Sequence, residues 1–255
     1  MRVYVCVKHV PDTAANIKVV GKNGFDETVK FIVNPYDEYA IEEAARLVKN
    51  EGGEVVILSL GKAGAMTTIR AALAIGGDRG ILIKTDKQFV DSETTALMLK
   101  KAIEDDGGAD IIFAGKQAVD SEGMQTCYRL AANLGIPIAS EVVGFSCTGG
   151  KVVAEREIGG GEREVIEMTI PCVIGASKGL NEPRYPKLPD IMKAKKKAVK
   201  EIDAGSLGIS PAGAVEIVSL AAVPERSNAR MIEGSVAEAV ETLVNLLRNE
   251  AKVLD

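Results

Sequence analysis

The chain has 255 residues, of which 46% are hydrophobic and 26% are charged, and its net charge is -5 at pH 7. This length and hydrophobic content suffice for one large domain with a substantial core. The negative charge, the lack of tryptophan and an aromatic content of 4% argue against nucleic-acid binding, which uses basic patches and stacking aromatic side chains.

Neither a membrane span nor a secretory signal is recognisable. No apolar run reaches the roughly 20 residues that a bilayer requires, and the opening MRVYVCVKHV lacks a cleavable pattern. We therefore expect a cytoplasmic protein, or a matrix protein after processing. Cys6, Cys127, Cys147 and Cys172 form no CxxC pair, which predicts reduced, packed thiols rather than a metal site or a disulfide framework.

The first half of the chain alternates strand and helix patterns. Strands are predicted at Val3–Val7, Phe31–Val33, Val55–Leu58, Ile81–Ile83 and Ile111–Ala114. Helices are predicted from Asn34-Pro35 to Gly52, from Gly64 through Ala74, at Ser92–Ile103 and at Ser121–Leu134. Continuous apolar strands separated by helices predict an α/β fold, Rossmann-like and similar to adenine-nucleotide α-hydrolases, with a parallel sheet covered on both faces.

The pattern changes after Pro137. Two β-rich runs, Lys151–Glu157 and Glu164–Met168, flank three glycines and predict a hairpin, followed by a strand at Pro171–Ile174. The stretch Ala198–Val223 is ambiguous, and Val236–Leu247 has the pattern of an amphipathic helix.

A nucleotide site is predicted where helix N-termini meet the carboxyl ends of the strands, because parallel sheets bind ligands there. The segments expected to converge are the end of the first strand at Cys6, the helix start Asn34–Asp37, the Leu60-Gly61 turn and the loop GKQAVDSEGMQT from Gly115. Gly115 would allow close backbone approach to a phosphate, with Ser121, Gln125 and Thr126 as donors around a helix start. A plain helix cap for Asn34 and a solvated acidic pair for Asp120 and Glu122 remain alternatives.

The segment LNEPRYPKLPDIMKAKKK, Leu180–Lys197, combines three prolines with a lysine cluster. Proline fixes φ and removes a backbone donor, so the first half is expected to be a stiff, extended arm on the surface. Leu188, Ile191 and Met192 beside these lysines predict a protein-docking arm, and a solvated interdomain linker is the alternative.

The same segment closely resembles the signature of electron transfer flavoprotein β subunits. Further similarity lies in VKHVPDT, NPYDEYAIEEA, GKQAVDSEGMQT and REIGGGEREVIEMTIPCVIG, so the resemblance runs from Arg2 to about Lys197. It implies an electron carrier without independent catalysis. Its β subunit would bind AMP structurally and pair with an α subunit that holds most of the FAD site.

The resemblance also implies site residues. The AMP contacts would be Cys6, Asn34, Pro35, Tyr36, Asp37, Leu60, Gly115, Lys116, Gln117, Ala118, Val119, Asp120, Ser121, Glu122, Gly123, Met124, Gln125 and Thr126. The docking residues would be Leu188 as the anchor, with Ile191, Met192, Lys193 and Lys196 beside it. Acyl-CoA-type dehydrogenases would be electron donors and a membrane quinone oxidoreductase the acceptor.

Two departures leave alternatives. Thr13 stands where many ordinary members have an aromatic residue, and VPDT is closer to the flavin-bifurcating branch, whose β subunit binds a second FAD in place of AMP. In contrast, NEPRYP and the DSEGMQT loop, with Glu122 and Met124, favour AMP. An adenine-nucleotide hydrolase or nucleotide sensor is a further alternative, although the SGGxD of such pyrophosphatases is absent.

The domain organisation expected from these segments has three parts. Residues 1–180 would form the nucleotide-binding domain with its hairpin, and residues 181–200 the partner-recognition arm. Residues 201–255 would be a C-terminal extension whose final helix packs on the partner subunit.

Overall fold

The structure is a computed structural model that describes residues 1–209, 215–224 and 228–254. The chain divides into two compact units, Met1–Leu220 and Ala221–Asp255.

The first unit contains five α-helices among its described residues. They are α1 (Pro35–Glu51), α2 (Ala65–Ile75), α3 (Ser92–Asp105), α4 (Thr126–Leu134) and α5 (Leu188–Ala194), with a 3₁₀ turn at Ala204–Leu207. The strands are β1 (Arg2–Cys6), β2 (His9–Pro11), β3 (Val19–Val20), β4 (Gly24–Phe25), β5 (Phe31–Val33), β6 (Glu54–Gly61), β7 (Arg79–Lys84), β8 (Ile111–Gly115), β9 (Ile138–Thr148), β10 (Lys151–Gly159), β11 (Glu162–Thr169), β12 (Cys172–Ala176) and β13 (Val199–Asp203).

Nine of these strands form one sheet in the order β11-β10-β9-β12-β8-β1-β6-β7-β13. Each pair of neighbouring strands in the part β9-β12-β8-β1-β6-β7-β13 is parallel. The strand β10 pairs antiparallel with both β9 and β11. The predicted α/β fold with a mostly parallel sheet and an added hairpin is therefore confirmed.

Helices cover both faces of the sheet. Along β1, Val3 and Val5 pack in the cluster that includes residues of α1 and α2, whereas Tyr4 packs with α3 and α4 on the other face. Successive strand residues point to opposite faces. A strand buried on both sides must therefore be apolar throughout, which explains the continuous apolar runs.

The strand β9 was missed from the sequence. Its first residues pair parallel with β12 and its later ones antiparallel with β10, with a shift in register beside Glu141, whose φ is +60°. Such a bulge interrupts the alternation by which a strand is recognised. The strands of the hairpin, β10 and β11, run somewhat longer than predicted.

The helix predicted from Ser121 begins only at Thr126. Glu122 and Met124 have φ of +49° and +52°, in the left-handed region that a right-handed helix excludes. Residues 116–125 are therefore a loop, and the expected helical turn at Ser121 was wrong.

The arm combines two conformations. Residues 181–187 have no regular structure, in agreement with the extended first half expected from the prolines. Leu188, however, is the first residue of α5, so its expected place in an extended loop was wrong. Pro189 is compatible with α5 because a proline in the first helical turn removes no helical hydrogen bond. The ambiguous stretch that follows contains β13 and the 3₁₀ turn, and its residues 210–214 lie outside those described.

The second unit contains one helix among its described residues, α6 (Val236–Asn249). Ser235 and Glu238 form a reciprocal capping box at its start, which fixes where it begins. The apolar side chains of α6 include Val236 and Val240, which are exposed.

Candidate functional site

The sheet reverses its order at β1. The chain adds β6 and β7 on one side of β1, then crosses after α3 to place β8 on the other side. Ligands of open α/β sheets bind beyond the carboxyl ends of the strands at such a switch point. Cys6 lies there in register with Ala114 of β8 and Leu58 of β6.

A buried carboxylate, Asp37, joins three segments at this edge. Its oxygens accept hydrogen bonds from Lys8 N at 2.7 Å, Gly115 N at 3.0 Å and Asn34 Nδ2 at 2.8 Å. Burial raises the pKa of Asp37 to about 7, against the opposing effect of these three donors. Asp37 therefore holds together the end of β1, the start of α1 and the end of β8.

Asn34 occupies the N-cap position of α1, as predicted, but its side chain does not cap the helix. Its Nδ2 donates to Gln117 O at 2.9 Å, and its Oδ1 accepts from Val119 N at 3.1 Å. Asn34 thus fixes the path of the loop that follows β8, a role that helix-cap patterns do not reveal.

Gly115 has a structural role that the sequence did not predict. A Cβ at Gly115 would lie 2.4 Å from Asp37 Oδ1 and 2.7 Å from Tyr36 Cβ. The missing side chain makes room for the start of α1, and nothing in this contact requires a phosphate. Gly123, by contrast, has no atom within 4 Å of such a Cβ.

The loop at residues 116–125 is held by a lysine that the sequence reasoning did not select. Lys8 Nζ lies 2.7 Å from Asp120 Oδ1 and 3.5 Å from Ser121 Oγ. Asp120 is thus paired, and neither it nor Glu122 lies in a helical turn as the alternative had assumed. Lys8 follows the carboxyl end of β1 closely, and this position in the sequence could have indicated that it lies at the site.

Lys116 marks the other side of this loop. Its Nζ lies 3.3 Å from Glu141 Oε1 and 5.5 Å from the centroid of the Tyr36 ring. The bulge in β9 turns Glu141 toward this site, since bulges redirect side chains. Lys116, Tyr36 and Glu141 thus form one polar cluster beside the end of β8.

Cys6 and Leu60 supply an apolar surface. Both are half-buried at strand ends on the face covered by α3 and α4. Burial raises the pKa of the Cys6 thiol far above its usual range, with the nearby Cys127 and Asp37 acting in the same direction, so this thiol stays neutral. All four cysteines are free thiols.

The start of α4 lies beside this surface, because Cys127 in its first turn packs in the same cluster. The first amides of an α-helix lack acceptors within the helix and attract anions. Gln125 uses its Oε1 to accept from Arg129 Nη2 at 2.9 Å and Ser92 Oγ at 3.3 Å, and its expected role as a donor to a nucleotide stays a prediction. This bond ties the starts of α3 and α4 together.

The predicted docking residues lie on the surface. Leu188 is 73% exposed and Met192 52% exposed, and Ile191, Lys193 and Lys196 are exposed as well. These side chains are far more exposed than apolar side chains of a core, so the fold gains little from Leu188.

A family model described as the electron transfer flavoprotein domain matches residues 23–207. The chain belongs to this family. A protein of Bradyrhizobium diazoefficiens named electron transfer flavoprotein subunit beta is 38% identical over 259 residues, which cover 100% of both chains. Proteins with the same name from Bacillus subtilis and Mus musculus are 35% and 37% identical, over 100% and 99% of each chain respectively.

These matches confirm the resemblance to electron transfer flavoprotein β subunits that the motifs indicated, and they extend it over the full length of the chain. Among the residues described, each helix is too short or too polar to be a membrane span.

Proposed function

We propose that this chain is the β subunit of a heterodimeric electron transfer flavoprotein and that its partner is an α subunit carrying FAD. The proposal is supported above all by the likeness to β subunits over the full length of both chains. FAD, when bound in the partner, would supply the redox chemistry. The β chain would have no catalysis of its own.

In this proposal the site at the switch point holds AMP. The half-buried, neutral Cys6 and Leu60 suit the apolar face of an adenine base. The amides at the start of α4 suit a phosphate, and Lys8 lies at the same edge of the sheet. The donor set therefore fits a nucleotide monophosphate, with the Asn34 and Asp37 bonds shaping the loop around it.

The exposed arm would dock dehydrogenases of the acyl-CoA type. Leu188 stands at the first position of a short helix with Ile191 and Met192 close by, and all three are exposed. An exposed apolar anchor surrounded by cations suits a partner with a hydrophobic pocket and an acidic rim. A membrane quinone oxidoreductase would accept the electrons.

The helix α6 would pack on the α subunit. Val236, Val240 and Leu243 follow one another at helical spacing and are 83%, 55% and 46% exposed. An amphipathic helix with exposed apolar side chains suits a partner interface. We place the complex in the cytoplasm, since four free thiols suit a reducing compartment.

The experiment that tests this proposal is purification of the chain alone and with a co-expressed α subunit. We expect a colourless isolated chain, and a complex with one FAD and one AMP on extraction. A stoichiometric flavin spectrum from the isolated chain, or two FAD per complex without AMP, would instead establish the bifurcating alternative. ATP hydrolysis by the isolated chain would support the hydrolase alternative.

A further inference from the structure

The arm is tied to the domain at both of its ends. At its start, Asn181 Nδ2 donates to Tyr39 O at 3.0 Å and to Glu43 Oε2 at 2.8 Å. At its end, Arg70 Nη1 donates to Ala194 O at 2.8 Å. The exposed residues between these two points therefore form a loop of fixed ends rather than a free linker.

The strongest of these ties is a buried carboxylate on α1. Glu42 is only 3% exposed, and its Oε2 accepts from Arg184 Nε at 2.6 Å and Arg184 N at 3.3 Å. Its Oε1 accepts from Arg184 Nη2 at 2.9 Å and Arg46 Nε at 2.7 Å. Both carboxylate oxygens are thus engaged, and one of the two arginines belongs to the arm.

Bidentate arginine–carboxylate pairs fix orientation as well as position, because the planar fork matches two oxygens at once. Arg184 also presents its backbone N–H to the same carboxylate, so Glu42 holds the main chain of the arm directly. Tyr185, the next residue, is 96% exposed. Arg184 is therefore bound to the domain, whereas the side chain that follows it extends into solvent.

We propose that Glu42 is a positioning residue for partner docking, which acts through Arg184 to set the docking arm in its binding conformation before a partner arrives. This inference rests on the docking role proposed for the arm. Its physical basis is that a segment already ordered loses less conformational entropy on binding, so the interface keeps more of its contact energy.

The test uses the α–β complex with Glu42→Gln, and Glu38→Gln as its matched control. Glu38 lies one turn earlier on α1, and within the described residues no hydrogen bond or ion pair joins it to the arm. The first readout is limited trypsin cleavage after Lys187. We expect about tenfold faster cleavage in Glu42→Gln, because a charge-assisted bidentate bond is lost, and no change in the control.

The second readout is turnover with a purified acyl-CoA dehydrogenase, with the complex as the varied substrate. The apparent affinity for the dehydrogenase decreases when fewer molecules have the arm in its binding conformation. KM should therefore rise about three- to tenfold while kcat stays unchanged. Arg184→Lys, which keeps the charge without the fork, should give intermediate values. An unchanged KM, or a fall in kcat alone, would overturn the positioning role.

Two further variants keep the test decisive. If Glu42→Gln folds poorly, the double variant Glu42→Gln/Arg184→Gln removes both charges of the pair and should show the same rise in KM. Leu188→Ala separates the two proposals. If it leaves KM unchanged, the docking role itself is wrong, whereas a rise in KM for Leu188→Ala alone leaves docking intact and rejects only Glu42.

Discussion

The backbone N–H of Gly115 donates to the carboxylate of Asp37 at 3.0 Å, across 78 positions of sequence. This bond places the start of α1 against the end of β8, at the point where the sheet reverses its order. The same contact leaves no room for a side chain at Gly115, because a Cβ there would meet Asp37 Oδ1. The shape of the candidate nucleotide site thus depends on a buried, ionisable group.

The free energy of unfolding should depend on pH through the titration of Asp37. The pKa of this carboxyl is raised from 3.8 to about 7, chiefly by burial. Its contribution to stability is therefore full below about pH 4 and is lost as the pH rises through about 7. We expect the free energy of unfolding of the wild type, relative to Asp37→Asn, to fall by up to about 1.4 kcal/mol per pH unit in this window.

The measurement is urea denaturation of the two proteins at several pH values between 5 and 8. Taking the difference between them removes titrations that they share. Parallel curves for wild type and variant would show that Asp37 keeps an ordinary pKa in the folded chain.

Gly115→Ala should destabilise the fold by about 1 to 3 kcal/mol, because the new methyl group overlaps Asp37 and Tyr36 in a packed region. Gly123→Ala is the matched control in the same loop, with open space around its Cβ and no positive φ. We expect the control to unfold within about 0.5 kcal/mol of the wild type in urea. Equal stability of both variants would show that α1 is not packed tightly against β8 at Gly115.

Leu188→Ala should leave the melting temperature almost unchanged, since 73% of this residue is exposed and alanine suits a helix. Loss of a leucine that fills a partner's pocket should cost about 1 to 3 kcal/mol of binding, or roughly ten- to a hundredfold weaker electron delivery at limiting concentration. Reduction of the complex by dithionite is the control and should be unaffected. A markedly lower melting temperature with normal turnover would identify Leu188 as a core residue.

Lys197→Met should lower stability by about 1 to 2 kcal/mol, whereas Lys196→Met should not. Lys197 Nζ donates to Leu73 O at 3.0 Å and to Gly77 O at 2.5 Å, at the carboxyl end of α2. A cation there donates hydrogen bonds to carbonyl groups that have no partner within the helix, and it interacts favourably with the negative end of the helix dipole. Lys196 is exposed and serves as the control for removal of one charge. Thermal unfolding at low and high salt would show whether the two lysines differ in this way.

The main strands and helices were readable from sequence because each carries its own pattern. The run Ile111–Ala114 is apolar throughout, and α1 has Asn34 before it, Pro35 at its first position and glycines after it. β9 carries no such pattern, because its two halves pair with different strands, in opposite directions. Its partners lie far along the chain, and local propensity does not encode them.

The sequence predicted which segments of the chain meet at the candidate site, but not which contacts their residues make there. Asn34 and Gly115 were selected as nucleotide contacts, with a helix cap as the alternative for Asn34, and those nucleotide roles stay predictions. Their contacts within the chain were not predicted, because the partner residues lie about 80 positions away. Glu42 was present in the motif NPYDEYAIEEA without any sign that it binds Arg184, because sequence patterns do not show which surface an arm crosses.

The helix α1 carries both Asp37, which faces the switch point, and Glu42, which holds the arm. Each added residue in a helix turns the following side chains by about 100° and moves them by about 1.5 Å. An insertion between Asp37 and Glu42 would therefore leave one of the two side chains on the wrong side of the helix. The length of this segment is thus constrained by two requirements at once, and a design that transplants the docking arm to another scaffold would have to supply a carboxylate in the place of Glu42.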